Sequence, residues 1–153
     1  MSAAAAAASG SHELPYVGAV IRYGYLWRNQ RRLVLDGNGR KNRPCLILAI
    51  RLDEETDEAR VYVVPLTTQA PHEPFEKEHA IKLTAPTLRK LGLGRGAPSW
   101  ILPTEANDFL WRGFDVVSLD DGRDHYGRVS SVLFDAVTAA VRSRGRLPSV
   151  PRE

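Results

Sequence analysis

From Val17 to Trp27 the chain alternates as a strand does. Ile21, Tyr23, Tyr25 and Trp27 fall on one face; Val20, Arg22 and Leu26 fall on the other. A long basic stretch follows, RNQRRLVLDGNGRKNR, with turn signals at Asp36-Gly37 and Asn38-Gly39. The run PCLILAI, Pro44 to Ile50, has no polar face and predicts a strand buried on both sides. ARVYVVPL, Ala59 to Leu66, is its expected partner across the acidic turn DEETDE. Pro65 lacks an N–H and marks the end of that strand or a sheet edge.

Shorter periodic pieces follow. HAIKL, SWILP and GFDVVSL read as brief strands. TAPTLRKLGLG predicts one or two helical turns, with Thr84 as cap, Pro86 in the first turn and Gly92 as the stop. In SSVLFDAVTAAVRSRG, residues Leu133, Phe134, Val137, Ala140 and Val141 recur at helical spacing; Ser130 or Ser131 can cap, and Gly145 ends the helix. Six or seven short strands with one short helix and a C-terminal helix predict a mainly β protein, a small antiparallel barrel with helices packed on it. Residues 1–14 read as a disordered Ala/Ser-rich leader, 15–145 as one domain, and 146–153 as a Pro-containing tail that frays.

Composition narrows the chemistry. The net charge is +3, and 17 Arg stand against 4 Lys, a bias that suits phosphate recognition without requiring it. Cys45 is the single cysteine, so no internal disulfide forms, and its apolar neighbours make it an inert small hydrophobe. No apolar run reaches the roughly 18 residues of a membrane helix, and the start lacks the features of a secretory signal. A soluble, cytoplasmic protein without membrane contact is expected. The four His, at 12, 72, 79 and 125, are scattered, and none stands at zinc spacing with another His or with Cys45. GLGRG, Gly92 to Gly96, follows a helix instead of a strand and is a turn, not a dinucleotide loop. Neither a Walker-type loop nor a Gly-x-Ser-x-Gly elbow occurs, so no metal and no cofactor are expected.

What remains is cationic and hydroxylic. Arg43 opens the first buried strand, and PLTTQ, Pro65 to Gln69, closes the second. If the two pair as an antiparallel hairpin, Arg43 and Thr67 meet at one end of the sheet. A guanidinium beside two hydroxyls and an amide makes a phosphate cradle. The same residues also fit an Arg paired with an acid and two ordinary strand-end threonines.

GAVI, KNRPCLIL, VYVVPLTTQ, SWILPTEAN and YGRVSSVLFDAV, taken in order, resemble the PemK/MazF family of toxins from bacterial toxin–antitoxin pairs, from about Val17 to Arg144. The resemblance implies an SH3-like antiparallel barrel of the MazF/CcdB type, a homodimer, and a cognate antitoxin protein as partner. It implies a metal-independent endoribonuclease cutting single-stranded RNA, with Arg43 and Thr67 catalytic and Thr68 and Gln69 lining the site. The basic loop, Arg28 to Lys41, then shapes the RNA groove. Arg28, Arg31, Arg32, Arg40 and Lys41 are candidate phosphate contacts. Trp27, Tyr25 and Trp111 are either platforms for splayed bases or residues of a core or interface.

RNA carries its own nucleophile, the 2′-hydroxyl. The protein has to align the attack and neutralise the charge that builds on the phosphorane. Arg43 and Thr67 suit that task; the group that takes the 2′-hydroxyl proton is left open. His72 and His125 are titratable, and both read as surface residues. Two other functions fit the pattern: a non-catalytic inhibitor of the same fold, of the gyrase-poisoning type, and an RNA- or DNA-binding module without turnover. The basic loop is richer in Arg than in compact members of the family, and SWILPTEANDFLW adds an acidic and aromatic piece after its strand.

Overall fold

A computed structural model describes residues 14–25, 41–93, 97–112, 116–144 and 149–152. The three long strands are β1 (Ala19–Tyr25), β2 (Lys41–Asp53) and β3 (Glu58–Thr67). Two short helices flank a two-residue strand: α1 (Pro74–His79), β4 (Ile81–Lys82) and α2 (Ala85–Lys90). After them come β5 (Trp100–Ile101), β6 (Ala106–Leu110), β7 (Val116–Val117) and β8 (Gly127–Arg128). The chain closes with α3 (Ser131–Arg144) and β9 (Ser149–Arg152).

The strands join into one sheet in which β3, β2 and β1 are consecutive. β5 and β4 extend it past one end of β3, while β6 runs beside the other end; β7 and β8 both pair with β1. Every described pair is antiparallel except β6–β9. The β2–β3 hairpin turns at Glu54 to Asp57. The Asp53 carboxylate accepts from the Glu55 N–H at 3.0 Å there, an Asx turn as the acidic loop predicts.

Alternation divides the core in two. Ile21, Tyr23 and Tyr25 of β1, Cys45 and Ile47 of β2, and Val61 and Val63 of β3 share one cluster with Leu102, Phe109 and Val116. Val20, Leu46, Val64 and Leu66 point the other way, into a cluster with Leu88 and Leu91 from the α2 region and Val137 from α3. Central strands covered on both faces need apolar residues at nearly every position, which is why PCLILAI shows no alternation. The Tyr23 and Phe109 rings stack with centroids 4.6 Å apart inside the first cluster.

The helix signals act as their chemistry dictates. Thr84 Oγ1 accepts from the Thr87 N–H at 3.3 Å, and Gly92 takes a φ of +70° just past α2. Ser130 Oγ accepts from the Leu133 N–H at 3.1 Å at the start of α3, satisfying one of its orphan donors. Gly145 lies outside the described residues.

Three features depart from the pattern reading. A second short helix, α1, forms where Pro74 supplies a pre-set φ at the first turn. ANDFL forms strand β6, where the pattern reading had only an added acidic and aromatic piece after a strand. The Asp108 carboxylate accepts from Arg60 at 2.6 Å, which makes a polar residue acceptable in a buried strand. Residues 149–152, expected to fray in the tail, pair with β6 as strand β9. That pairing supplies backbone partners along an edge that would otherwise be open. Among the described residues no helix is long and apolar enough to cross a membrane.

Val137 is fully buried and fastens α3 to the second cluster. Val137→Ala is expected to destabilise the fold by about 2 kcal/mol. Urea unfolding should show a lower midpoint at unchanged slope.

Candidate anion-binding site at the end of the β2–β3 ladder

β2 and β3 pair from Asp53–Glu58 as far as Cys45–Pro65. The next pair would join Leu66 to Pro44, which has no N–H to extend the ladder; on the other edge of β3 the Pro65 carbonyl accepts from the Leu102 N–H at 3.0 Å. From there β3 turns to β5, pairing Leu66 with Ile101 and Thr67 with Trp100. β2 meanwhile continues beside β1, with Arg43 opposite Tyr23 and Lys41 opposite Tyr25. A cavity of about 220 Å³ opens where the two strands part.

Its polar lining consists of Asn42, Arg43, Thr67, Thr68 and Ser99; Pro44, Leu66 and Leu93 complete the wall. Arg43 stands two residues beyond Cys45, and Thr67 two beyond Pro65. The period of two in a strand therefore aims both at the side occupied by the Cys45–Pro65 pair. The two are mostly covered, at 8% and 4% exposure, yet both line the cavity. The Gln69 N–H donates to Thr67 Oγ1 at 3.1 Å, so a tight turn fixes the position of the hydroxyl.

The chemistry of the lining is one-sided. It offers a guanidinium, an amide and three hydroxyls, and no carboxylate, thiol or imidazole lines it among the described residues. Such a set is chemically suited to an oxyanion, whose attraction to a guanidinium is stronger beside low-dielectric walls than in water.

Of the residues expected from the sequence, Arg43, Thr67 and Thr68 come together here, and Gln69 contributes through its backbone. Lys41 begins β2. Trp27, Arg28, Arg31, Arg32 and Arg40 lie outside the described residues. Asn42 and Ser99 were missed: Asn42 sat unremarked inside KNRP, and nothing local marks Ser99, which arrives from the segment before β5. Two aromatic candidates are core residues. Tyr25 is fully buried and its hydroxyl donates to Glu105 Oε2 at 3.1 Å; Trp111 packs partly buried against Phe109. His125 is 3% exposed, between the rings of Tyr16 and Trp111, and the surface position expected for it is wrong. The aromatic residues around it close a pocket that a polar sequence context, RDHYG, did not announce.

One structure of MazE–MazF from Deinococcus radiodurans (Form II) aligns over 88% of this chain and 98% of that one, at a TM-score of 0.51 and 16% identity. The chain has a MazF-like fold. Form III of the same pair aligns at 0.49 and 16% identity, over 86% of this chain and 96% of that one. An endoribonuclease in complex with its cognate antitoxin from a mycobacterial species aligns at 0.46 and 15%, over 85% and 93%. No family model matches the chain, and no curated protein matches it significantly. The MazF-like fold agrees with the SH3-like antiparallel barrel expected from the sequence, with α1 as an addition.

Burial beside the site gives two groups that resist ionisation. The Tyr25 phenol is held well above its ordinary value of 10.0, first by desolvation and then by the nearby Glu105 charge. Burial likewise pushes the Cys45 thiol far above its ordinary 9.0. Both stay protonated in the folded protein at a pH where the unfolded chain gives its protons up. Stability is therefore complete below about pH 9 and falls as pH rises further, by about 1.4 kcal/mol per pH unit for each group. Unfolding free energies measured from pH 8 to 11 should show this decline. Cys45→Ala should remove its earlier part and Tyr25→Phe its later part.

Proposed function

We propose that this chain is the toxin of a toxin–antitoxin pair and acts as a metal-independent endoribonuclease on single-stranded RNA. The reading rests on one observation: Arg43 and Thr67, from different strands, line the same cavity. The MazF-like fold and the ordered sequence resemblance support it. A cognate antitoxin and a second copy of this chain are the partners that the reading entails.

The reaction needs little from the protein beyond geometry and charge. The RNA 2′-oxygen attacks the adjacent phosphorus in line, the P–O5′ bond breaks, the 2′-hydroxyl loses its proton and the departing 5′-oxygen gains one. Negative charge gathers on the non-bridging oxygens at the phosphorane stage. Arg43 meets that charge with its planar donors, Thr67 adds a hydroxyl donor held by the Gln69 turn, and Asn42, Thr68 and Ser99 offer further polar groups. DNA, which lacks the 2′-hydroxyl, survives. The basic residues before and at the start of β2 then hold the flanking phosphates, with Arg28, Arg31, Arg40 and Lys41 as the contacts and Trp27 as a stacking surface.

Purified protein is expected to cut single-stranded RNA in the presence of EDTA. Arg43→Ala should lower kcat about a hundred- to a thousandfold, Thr67→Ala somewhat less, and Thr67→Ser should restore most of the loss. Circular dichroism should confirm that each variant is folded. Cleavage undiminished in folded Arg43→Ala, or no cleavage by the parent protein, would overturn the assignment.

A further inference from the structure

Beyond the cavity, the register lines up with Thr67 two side chains that the catalytic reading does not use. Trp100 pairs with Thr67 on β3 and with Lys82 on β4. Residues opposite each other in an antiparallel pair share a face, so Thr67, Trp100 and Lys82 form one row across three strands. Leu66, Ile101 and Ile81 form the neighbouring row, on the opposite face and against the second core cluster. The first row therefore faces away from that core. With strands about 4.8 Å apart, Lys82 stands about 10 Å from Thr67.

Trp100 is partly exposed, and the Lys82 ammonium lies 5.9 Å from the centre of its ring. A second cavity, of about 350 Å³, adjoins the first through a shared Leu93 and carries Lys82 and Arg89. An aromatic surface and two cations thus continue directly from the hydroxyls of the first cavity.

We propose that Trp100 is the stacking platform for the nucleotide next to the cleaved bond, and that Lys82 and Arg89 hold the phosphate beyond it. The inference rests on the endoribonuclease reading and deepens it by giving the RNA a direction across the protein, from Arg43 and Thr67 over Trp100 to the second cavity. An indole accepts any base, since each has a π-face, so this subsite contributes affinity more than sequence choice. Lys82 above the ring keeps a cation where the next phosphate falls.

The test uses the full chain and two oligoribonucleotides. One is a cleavable strand whose cut position has been mapped with the parent protein. The other is the same strand with a single 2′-deoxynucleotide at that position, which binds without being cut. Trp100→Ala should weaken binding of the uncleavable strand roughly ten- to a hundredfold, Trp100→Phe should restore most of it, and the loss in cleavage should fall on KM. Lys82→Gln and Arg89→Gln should each reduce the salt dependence of binding by about 0.7 in the log–log slope. Parent-like affinity in Trp100→Ala together with parent-like salt slopes in Lys82→Gln and Arg89→Gln would overturn this subsite while leaving the nuclease standing. If Trp100→Ala does not fold, the salt slopes decide. A parent protein that neither binds nor cuts the RNA would remove the nuclease reading, and this inference with it.

Discussion

The missing N–H of Pro44 is the constraint from which the site follows. The Ile47 carbonyl faces β1, so Pro44, at the opposite phase of β2, presents its backbone toward β3 and has no donor to carry the β2–β3 ladder past Cys45–Pro65. The last two residues of β3 pair with β5 on their other edge, where the Pro65 carbonyl accepts from Leu102, while β2 keeps its pairing with β1. Strands that would otherwise close over one another diverge, and the space between them holds Arg43 and Thr67. A residue able to donate at position 44 would remove the reason for the divergence. The cavity is a product of backbone chemistry first and of side-chain choice second.

Placing a guanidinium at that spot has an electrostatic cost, because taking a cation out of water is unfavourable unless hydrogen bonds replace its hydration. Arginines elsewhere in the fold show how such replacement works: Arg60 meets Asp108 at 2.6 Å, and Arg112 meets the buried Asp124 at 3.1 Å, with Ser118 bridging the pair. The cavity that Arg43 lines carries hydroxyls and an amide, whose dipoles can orient around a cation. A wall of that composition is also one that a phosphate oxygen can approach without meeting a negative charge in the lining.

Much of this was legible in the chain because the signals were local. The strands of both core clusters, the Thr84 cap, the Gly92 stop and the α3 periodicity each depend on residues within a turn or two of one another. The Arg43–Thr67 meeting was legible as well, since hairpin register follows from the short acidic turn and the proline that ends the ladder. What escaped depended on distant partners. Asp108 gives no strand signal, and its place in β6 depends on Arg60, 48 positions away, which donates to its carboxylate. His125 and Tyr25 look available for RNA until Trp111, Tyr16 and Glu105 are folded against them. Ser99 and Trp100 join the site only because β5 docks on the end of β3.

β5 takes the other edge of β3. The Pro65 carbonyl and the pairs Leu66–Ile101 and Thr67–Trp100 lie on the side away from β2, so the end of β3 serves two neighbours at once: the space that β2 leaves on one side and the β5–β4 extension on the other. The row from Thr67 through Trp100 to Lys82 therefore begins at a residue that also lines the first cavity. On the proposed endoribonuclease reading, a single-stranded polyanion needs both a place for one phosphate and a continuing surface for the next nucleotide, and Thr67 is the residue at which the two would join.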